Sequence, residues 1–203
     1  MALAELPITE ILGFLTGAMN VWLLAKQNIW NWPVGLTNNA LYVAVFLHSG
    51  LYGDAGLQLV YITLGIYGWR LWAQRRKATC NDGGLPVTKT PRKTWAWIAP
   101  ATLASAIALY FFLAQFTDST VPAWDALTTA LSLAATYGQA RKYLESWWMW
   151  ILADVIYIPL YVYKNLNLTA ALYAIFLILC VTGLRNWSQA IREARPTQEP
   201  AAD

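Results

Sequence analysis

Charge is scarce in this sequence. Asp, Glu, Lys and Arg make up only 12% of its 203 residues, about half the roughly 25% of an ordinary soluble domain. It has one His and two Cys. Cys80 falls in a polar stretch and Cys180 in an apolar run, so a disulfide framework is not expected, and no metal-ligand spacing exists. No nucleophile stands beside a base, and no glycine-rich phosphate loop occurs, which argues against a catalytic centre, a metal, a cofactor or an ATP-driven motor within the chain. The net charge of +3 is small and its Lys and Arg cluster in a few segments, which argues against nucleic-acid binding. Met1 to Thr9 lacks the basic region of a cleaved signal peptide, so the first apolar segment is expected to be retained.

Apolar surface is abundant: 58% of residues are hydrophobic, 14% are aromatic, and twelve are Trp. A chain this short cannot hide so much apolar surface inside itself. The expected class is therefore an all-α integral membrane protein. Runs of roughly 17–25 mainly apolar residues occur seven times, at Glu10 to Lys26, Trp32 to His48, Gly53 to Ala73, Thr94 to Phe116, Trp124 to Arg141, Trp147 to Tyr163 and Leu168 to Ile191. Between them lie breaks with turn chemistry, Gln27-Asn28, Ser49-Gly50 and Lys164-Asn165-Leu166-Asn167. One long polar stretch, Arg75 to Lys93, contains Asn81-Asp82-Gly83-Gly84, Pro86 and Pro91 and reads as a flexible linker.

Positive charge lies in Lys26, in the linker (Arg75, Arg76, Lys77, Lys89, Arg92, Lys93), in Arg141-Lys142 and in Arg192 and Arg195; the intervening loops hold Asp54, Asp118 and Asp125. The positive-inside rule then puts the N-terminus outside and the C-terminus in the cytoplasm. Asp54 reads as the N-cap of the third span. Trp30, Trp32, Trp69, Trp72, Trp147, Trp148 and Trp187 fall near span ends and read as an interfacial belt.

A shift of 183 − 68 = 115 residues superposes Gly65-Ile66-Tyr67-Gly68-Trp69-Arg70-Leu71-Trp72 on Cys180-Val181-Thr182-Gly183-Leu184-Arg185-Asn186-Trp187, with Gly, Arg and Trp in register. Trp32 falls on Trp147, Tyr42 on Tyr157, Ala25 on Ala140 and Lys26 on Arg141. The spacing predicts two like-oriented three-helix repeats, 10–73 and 124–191, joined through a cytoplasmic linker at 74–93 and a connecting span at 94–116, with a cytoplasmic tail at 192–203. In such a parallel 3+1+3 repeat a solute site is expected between the halves near mid-membrane.

Polar groups inside spans are costly and need partners. Asn38, Asn39 and Tyr42 lie on the second span, Gln58 and Tyr61 on the third, with Asn20 on the first; the shift carries Asn39 to Asp154, near Trp150 and Tyr157, and Tyr173 lies on the seventh span. Each amide alone suits helix–helix bonding as well as a solute. Together, amides and rings favour a flat heteroaromatic solute bearing hydroxyls. Asp154 has three open roles: attracting a cation, carrying a proton, or only hydrogen-bonding. No Lys or Arg lies at mid-depth, so nucleosides suit the site better than nucleotides.

Three stretches carry a resemblance: Asn31-Trp32-Pro33-Val34-Gly35; Leu51 through Tyr61, including Tyr52-Gly53-Asp54; and Gly65-Ile66-Tyr67-Gly68-Trp69. With Trp147-Trp148-Met149-Trp150, Asp154 to Tyr157, Pro159-Leu160-Tyr161 and Gly183 to Trp187, the sequence strongly resembles the PnuC nicotinamide riboside transporters over roughly Glu10 to Trp187. The resemblance implies a SWEET-like fold of seven helices in the bacterial inner membrane, assembled as a homotrimer. It also implies facilitated diffusion of nicotinamide riboside, trapped by a cytoplasmic riboside kinase for NAD synthesis. Thiamine or another nucleoside is the alternative solute. A membrane-embedded enzyme or a sensor is the remote one, because Asp154 has no His or second carboxylate beside it and the tail from Ser188 is too short for an output domain.

Overall fold

The structure is a computed structural model that describes residues 8–48, 52–78, 85–117, 120–163 and 167–194. The breaks at Ser49-Gly50, Asn81 to Gly84 and Lys164 to Leu166, the Cys80 thiol, Asp118, and Arg195 with the tail beyond it lie outside the described residues.

Seven helices form where the apolar runs lie: α1 Ile8–Ala25, α2 Asn31–His48, α3 Tyr52–Ala78, α4 Arg92–Phe116, α5 Pro122–Ala140, α6 Ser146–Tyr163 and α7 Asn167–Glu193. The shortest have 18 residues, about 27 Å at 1.5 Å per residue, close to the hydrocarbon thickness of a bilayer. Two segments, Arg92–Phe116 and Thr169–Glu193, are long and apolar enough by themselves to cross a membrane; Leu12–Ala25 is a shorter apolar stretch. Pro33 lies in the first turn of α2 and Pro122 opens α5, positions where a missing N–H costs no helical bond.

Among the described residues α1 packs on α2, α2 on α3, α3 on α5, α5 on α6, α6 on α7 and α7 back on α1, while α4 touches α5 alone. Six helices thus close a ring and the seventh leans on its outside. Exchanging α1, α2, α3 with α5, α6, α7 leaves the order of the ring unchanged.

The core gathers at one end. Trp32, Trp72, Trp147 and Trp187 are all buried there, with Leu24, Ala25, Ala140 and Cys180. Trp32 meets Trp72 edge-on at 5.5 Å, and Trp147 meets Trp187 edge-on at 5.4 Å. Gly68 and Gly183 make this packing possible: a Cβ on Gly68 runs into the Trp32 ring, and one on Gly183 into the Trp147 ring. The expected tryptophan belt is corrected accordingly. Trp30, Trp69 and Trp148 are exposed, but the other four face inward, because their helix faces turn toward the ring's interior and not toward its rim.

Two more expectations need correction. Asp54 does not cap α3; the helix starts at Tyr52 and Asp54 lies in its first turn, where a carboxylate still favours the helix dipole. The flexible-linker expectation for Arg75 to Lys93 is corrected at the two described ends: α3 continues to Ala78, and the segment from Leu85 to Thr90 straps onto the loop between α5 and α6. The Thr88 N–H donates to the Lys142 carbonyl at 3.0 Å, and the Leu144 N–H donates to the Thr88 carbonyl at 2.9 Å. The Thr90 N–H and hydroxyl both donate to Glu145 Oε2 at 2.7 Å. The Val87 side chain joins the tryptophan cluster.

Candidate functional site

Inside the ring lies a cavity of about 350 Å³, within the range of small-molecule sites. Asn38, Asn39 and Tyr42 of α2, Gln58 and Tyr61 of α3, Trp150, Asp154 and Tyr157 of α6, and Tyr173 of α7 all line it. These are the nine side chains singled out from sequence, brought into one chamber. A physical reason favours this for the amides and the carboxylate: on a largely apolar helix a polar group is least costly where it faces inward and can find partners.

The shift of 115 organises the chamber. All nine lining residues from the second half, Ser132, Thr136, Gln139, Trp150, Asp154, Tyr157, Tyr173, Phe176 and Cys180, stand 115 positions after a lining residue of the first half. The corresponding first-half residues run from Gly17 to Gly65. The cavity therefore straddles the line about which the ring repeats. Only the tyrosine pair Tyr42 and Tyr157 is unchanged between halves; Gly35 faces Trp150, Asn39 faces Asp154 and Gln58 faces Tyr173 in the pairing. The scaffold is kept symmetric while the chamber has become lopsided, with amides on one side and larger rings on the other.

Aromatic contacts build the second wall. Tyr173 lies 4.9 Å from Tyr157 and 5.0 Å from Tyr161, ring to ring, and Phe176 follows at 5.9 Å from Tyr173. The Thr128 hydroxyl, 2.8 Å from the Tyr157 hydroxyl, fixes that ring from α5. On the amide side, Asn38 is tied down: its Nδ2 donates at 2.7 Å to the Gly13 carbonyl and at 2.7 Å to the Thr16 hydroxyl. This amide glues α2 to α1, leaving its carbonyl oxygen for any solute.

Three buried polar atoms on lining residues have no partner among the described residues: Trp32 Nε1, Trp150 Nε1 and Asp154 Oδ2. Cys180 shares the lining with Asp154, whose Oδ2 is the buried carboxylate oxygen left unpaired. Among the described residues Asp154 is the only acid in the lining, and no Lys or Arg lines it. Such a chamber can stack a flat ring between tyrosines, bond its polar edge and favour positive charge. Among the described residues no cluster of His, Cys, Asp or Glu suited to a metal occurs.

Sequence reading overlooked Ser132, Thr136 and Gln139, which bring three polar side chains of α5 into the lining. Their spacing of four and three residues places them on one helix face. Applying the shift of 115 to Gly17, Val21 and Leu24 of α1 finds all three.

The sequence profile of the nicotinamide mononucleotide transporter family matches residues 7–189. The riboflavin/roseoflavin transporter RibM of Streptomyces davaonensis is 29% identical, over 95% of this chain and 91% of that protein. The nicotinamide riboside transporter PnuC of Escherichia coli is 24% identical, over 93% of this chain and 88% of its own. In three dimensions the fold is similar to the crystal structure of the vitamin B3 transporter PnuC, with a TM-score of 0.71, 24% identity, and coverage of 91% of this chain and 82% of that one. The proteins just named are transporters, not enzymes. With its profile matched over nearly the whole length, the chain belongs to the nicotinamide mononucleotide transporter family, that of PnuC.

Proposed function

We propose that the chain crosses the bacterial inner membrane seven times as a SWEET-like 3+1+3 parallel repeat and carries nicotinamide riboside by facilitated diffusion. The observation that carries the solute assignment is the chamber lining: tyrosine and tryptophan rings, amides, one unpaired carboxylate oxygen and no basic side chain. A pyridinium ring suits aromatic faces and the Asp154 carboxylate, a ribose and a carboxamide suit Asn39, Gln58 and Gln139, and a phosphate finds no counter-charge. The N-terminus lies outside and the C-terminus in the cytoplasm, a reading supported by the loop charges. Capture by a cytoplasmic riboside kinase that feeds NAD synthesis, and assembly as a homotrimer, are supported by the family resemblance alone.

A second reading has its own support: the relative at 29% identity is a riboflavin transporter, and a ribityl chain meets the same amides as a ribose. Thiamine, also a ring-bearing cation, is a third candidate. Calorimetry on the detergent-solubilised protein separates them, with nicotinamide riboside, riboflavin, thiamine and nicotinamide mononucleotide titrated in parallel. Binding of the riboside, with the mononucleotide at least tenfold weaker, is the expected outcome. Tight binding of riboflavin alone replaces the solute, and tight mononucleotide binding overturns the charge argument.

A further inference from the structure

Among the described residues, every side-chain hydrogen bond across the two halves of the ring at the tryptophan end involves the C-terminal ends of α1 and α5 or the loops that follow them. Trp72 Nε1 donates to the Ala140 carbonyl at 3.1 Å, Trp187 Nε1 to the Leu24 carbonyl at 3.3 Å, and Asn186 Nδ2 to the Ala25 carbonyl at 3.4 Å. At the centre, Lys142 Nζ donates to Gln27 Oε1 at 2.9 Å and stands 4.3 Å from the centroid of the Trp72 ring. Gln27 and Lys142 are 115 positions apart, and they are the two described non-glycine residues with positive φ, 55° and 54°. Left-handed backbone is uncommon for such side chains, so each loop accepts some strain to turn its long side chain inward. The tryptophan cluster is also the floor of the chamber, since Leu24, Trp32 and Cys180 belong to both.

The Lys142 side chain is only 6% exposed. Among the described residues its partners are an uncharged amide and an indole face, with no carboxylate. A buried ammonium with neutral partners is poorly compensated for lost hydration, and burial lowers its pKa to about 8. Parting the halves at this end returns the ammonium to water, so its hydration favours opening while the Gln27 bond and the Trp72 face favour closure.

Resting on the carrier reading above, we infer that Lys142 is a rate-setting residue for transport: its buried ammonium, held by Gln27 and Trp72, biases the chamber floor toward opening. It is not among the residues that line the chamber. A plain packing role for Lys142 and Gln27 makes loss of either loosen the end. The inference predicts opposite signs.

Cys180 reports on the floor. In a Cys80→Ser background it is the sole cysteine, and its reaction with a small, membrane-impermeant thiol reagent is followed in inside-out vesicles. Lys142→Met, which keeps the bulk and removes the charge, is expected to slow labelling about tenfold and slow riboside efflux, with riboside affinity within about twofold. Gln27→Ala, which removes the ammonium's acceptor, is expected to speed labelling about fivefold. Equal labelling in all three folded proteins, or acceleration by Lys142→Met, overturns the inference. If labelling follows the predicted signs yet no variant moves riboside, the solute assignment fails and the role of Lys142 stands.

Discussion

Gly183→Ala tests the tryptophan end most directly. A Cβ placed on Gly183 sits 2.5 Å from Trp147 Cζ2 and 2.7 Å from Cζ3, where carbon atoms prefer about 3.5–4.0 Å. The indole must therefore retreat by about 1 Å. It has no free direction: Trp147 has no exposed surface, and Trp187 stands edge-on to it at 5.4 Å. Overpacking of this kind costs about 1–3 kcal/mol. For a chain of this size each kcal/mol lowers the melting temperature by about 2–4 °C, giving a drop of about 2–12 °C. Heating the detergent-solubilised protein and scoring the monodisperse fraction by size exclusion reads this out. Combining the change with Trp147→Phe shrinks the obstructing ring, so the pair is expected to be less damaging than the sum of the single variants. A Gly183→Ala protein as stable as the parent, or strict additivity with Trp147→Phe, refutes the packing argument.

Gly68→Ala should behave alike, since Trp32 stands against it as Trp147 does against Gly183; an unchanged melting temperature breaks the equivalence of the halves. Asn38→Ala removes two bonds to α1, and at about 0.6–1.7 kcal/mol for a polar contact between membrane helices it should melt at lower temperature. By contrast Asn39→Ala and Gln58→Ala should lose affinity at nearly full stability; if neither alters binding, the chamber assignment is wrong. Asp154→Asn removes charge at nearly constant shape and should weaken nicotinamide riboside about tenfold or more while leaving uncharged riboflavin nearly unaffected; calorimetry on both solutes decides. Lys142 carries a pH signature too. Its ammonium titrates at about 8 when buried against 10.5 ordinarily, so between those values the unfolded chain binds more protons and stability rises with pH, by roughly 3 kcal/mol at most. Lys142→Met should lack this rise, and identical slopes in the two proteins exclude the burial effect.

The helix boundaries were legible because the signal is additive: each apolar run supplies many residues that agree, and the seven spans land within a few residues of the helices. The chamber side chains were legible for a different reason. An amide or carboxylate inside an apolar helix has few places to go, so Asn39, Gln58 and Asp154 point to the interior whatever the exact helix rotation. Tryptophan gave no such guidance, being at home in a belt or in a core. Position along the helix suggested the belt for Trp32, Trp72, Trp147 and Trp187, whereas direction around the helix decided the matter. Their spacing by 115 and the glycines Gly68 and Gly183 opposite two of them held the missing signal. The strap failed for a related reason: Pro86 and Pro91 announce the end of helix, but pairing of Thr88 with residues near Tyr143 is non-local and leaves no mark on the segment itself. Lys142 reads as loop charge in any one-dimensional count, and only the left-handed turn of its backbone sends the side chain inward.

The indoles at the chamber floor also make the chain its own optical probe. Trp32, Trp72, Trp147 and Trp187 form a linked chain with ring centroids 5.4–6.5 Å apart and planes tilted by 47° to 88°. Transition dipoles so close and so skewed couple into a chiral exciton, and the ammonium against the Trp72 face tunes that chromophore's emission. The exciton contribution to the near-ultraviolet circular dichroism thus follows the floor in unlabelled protein.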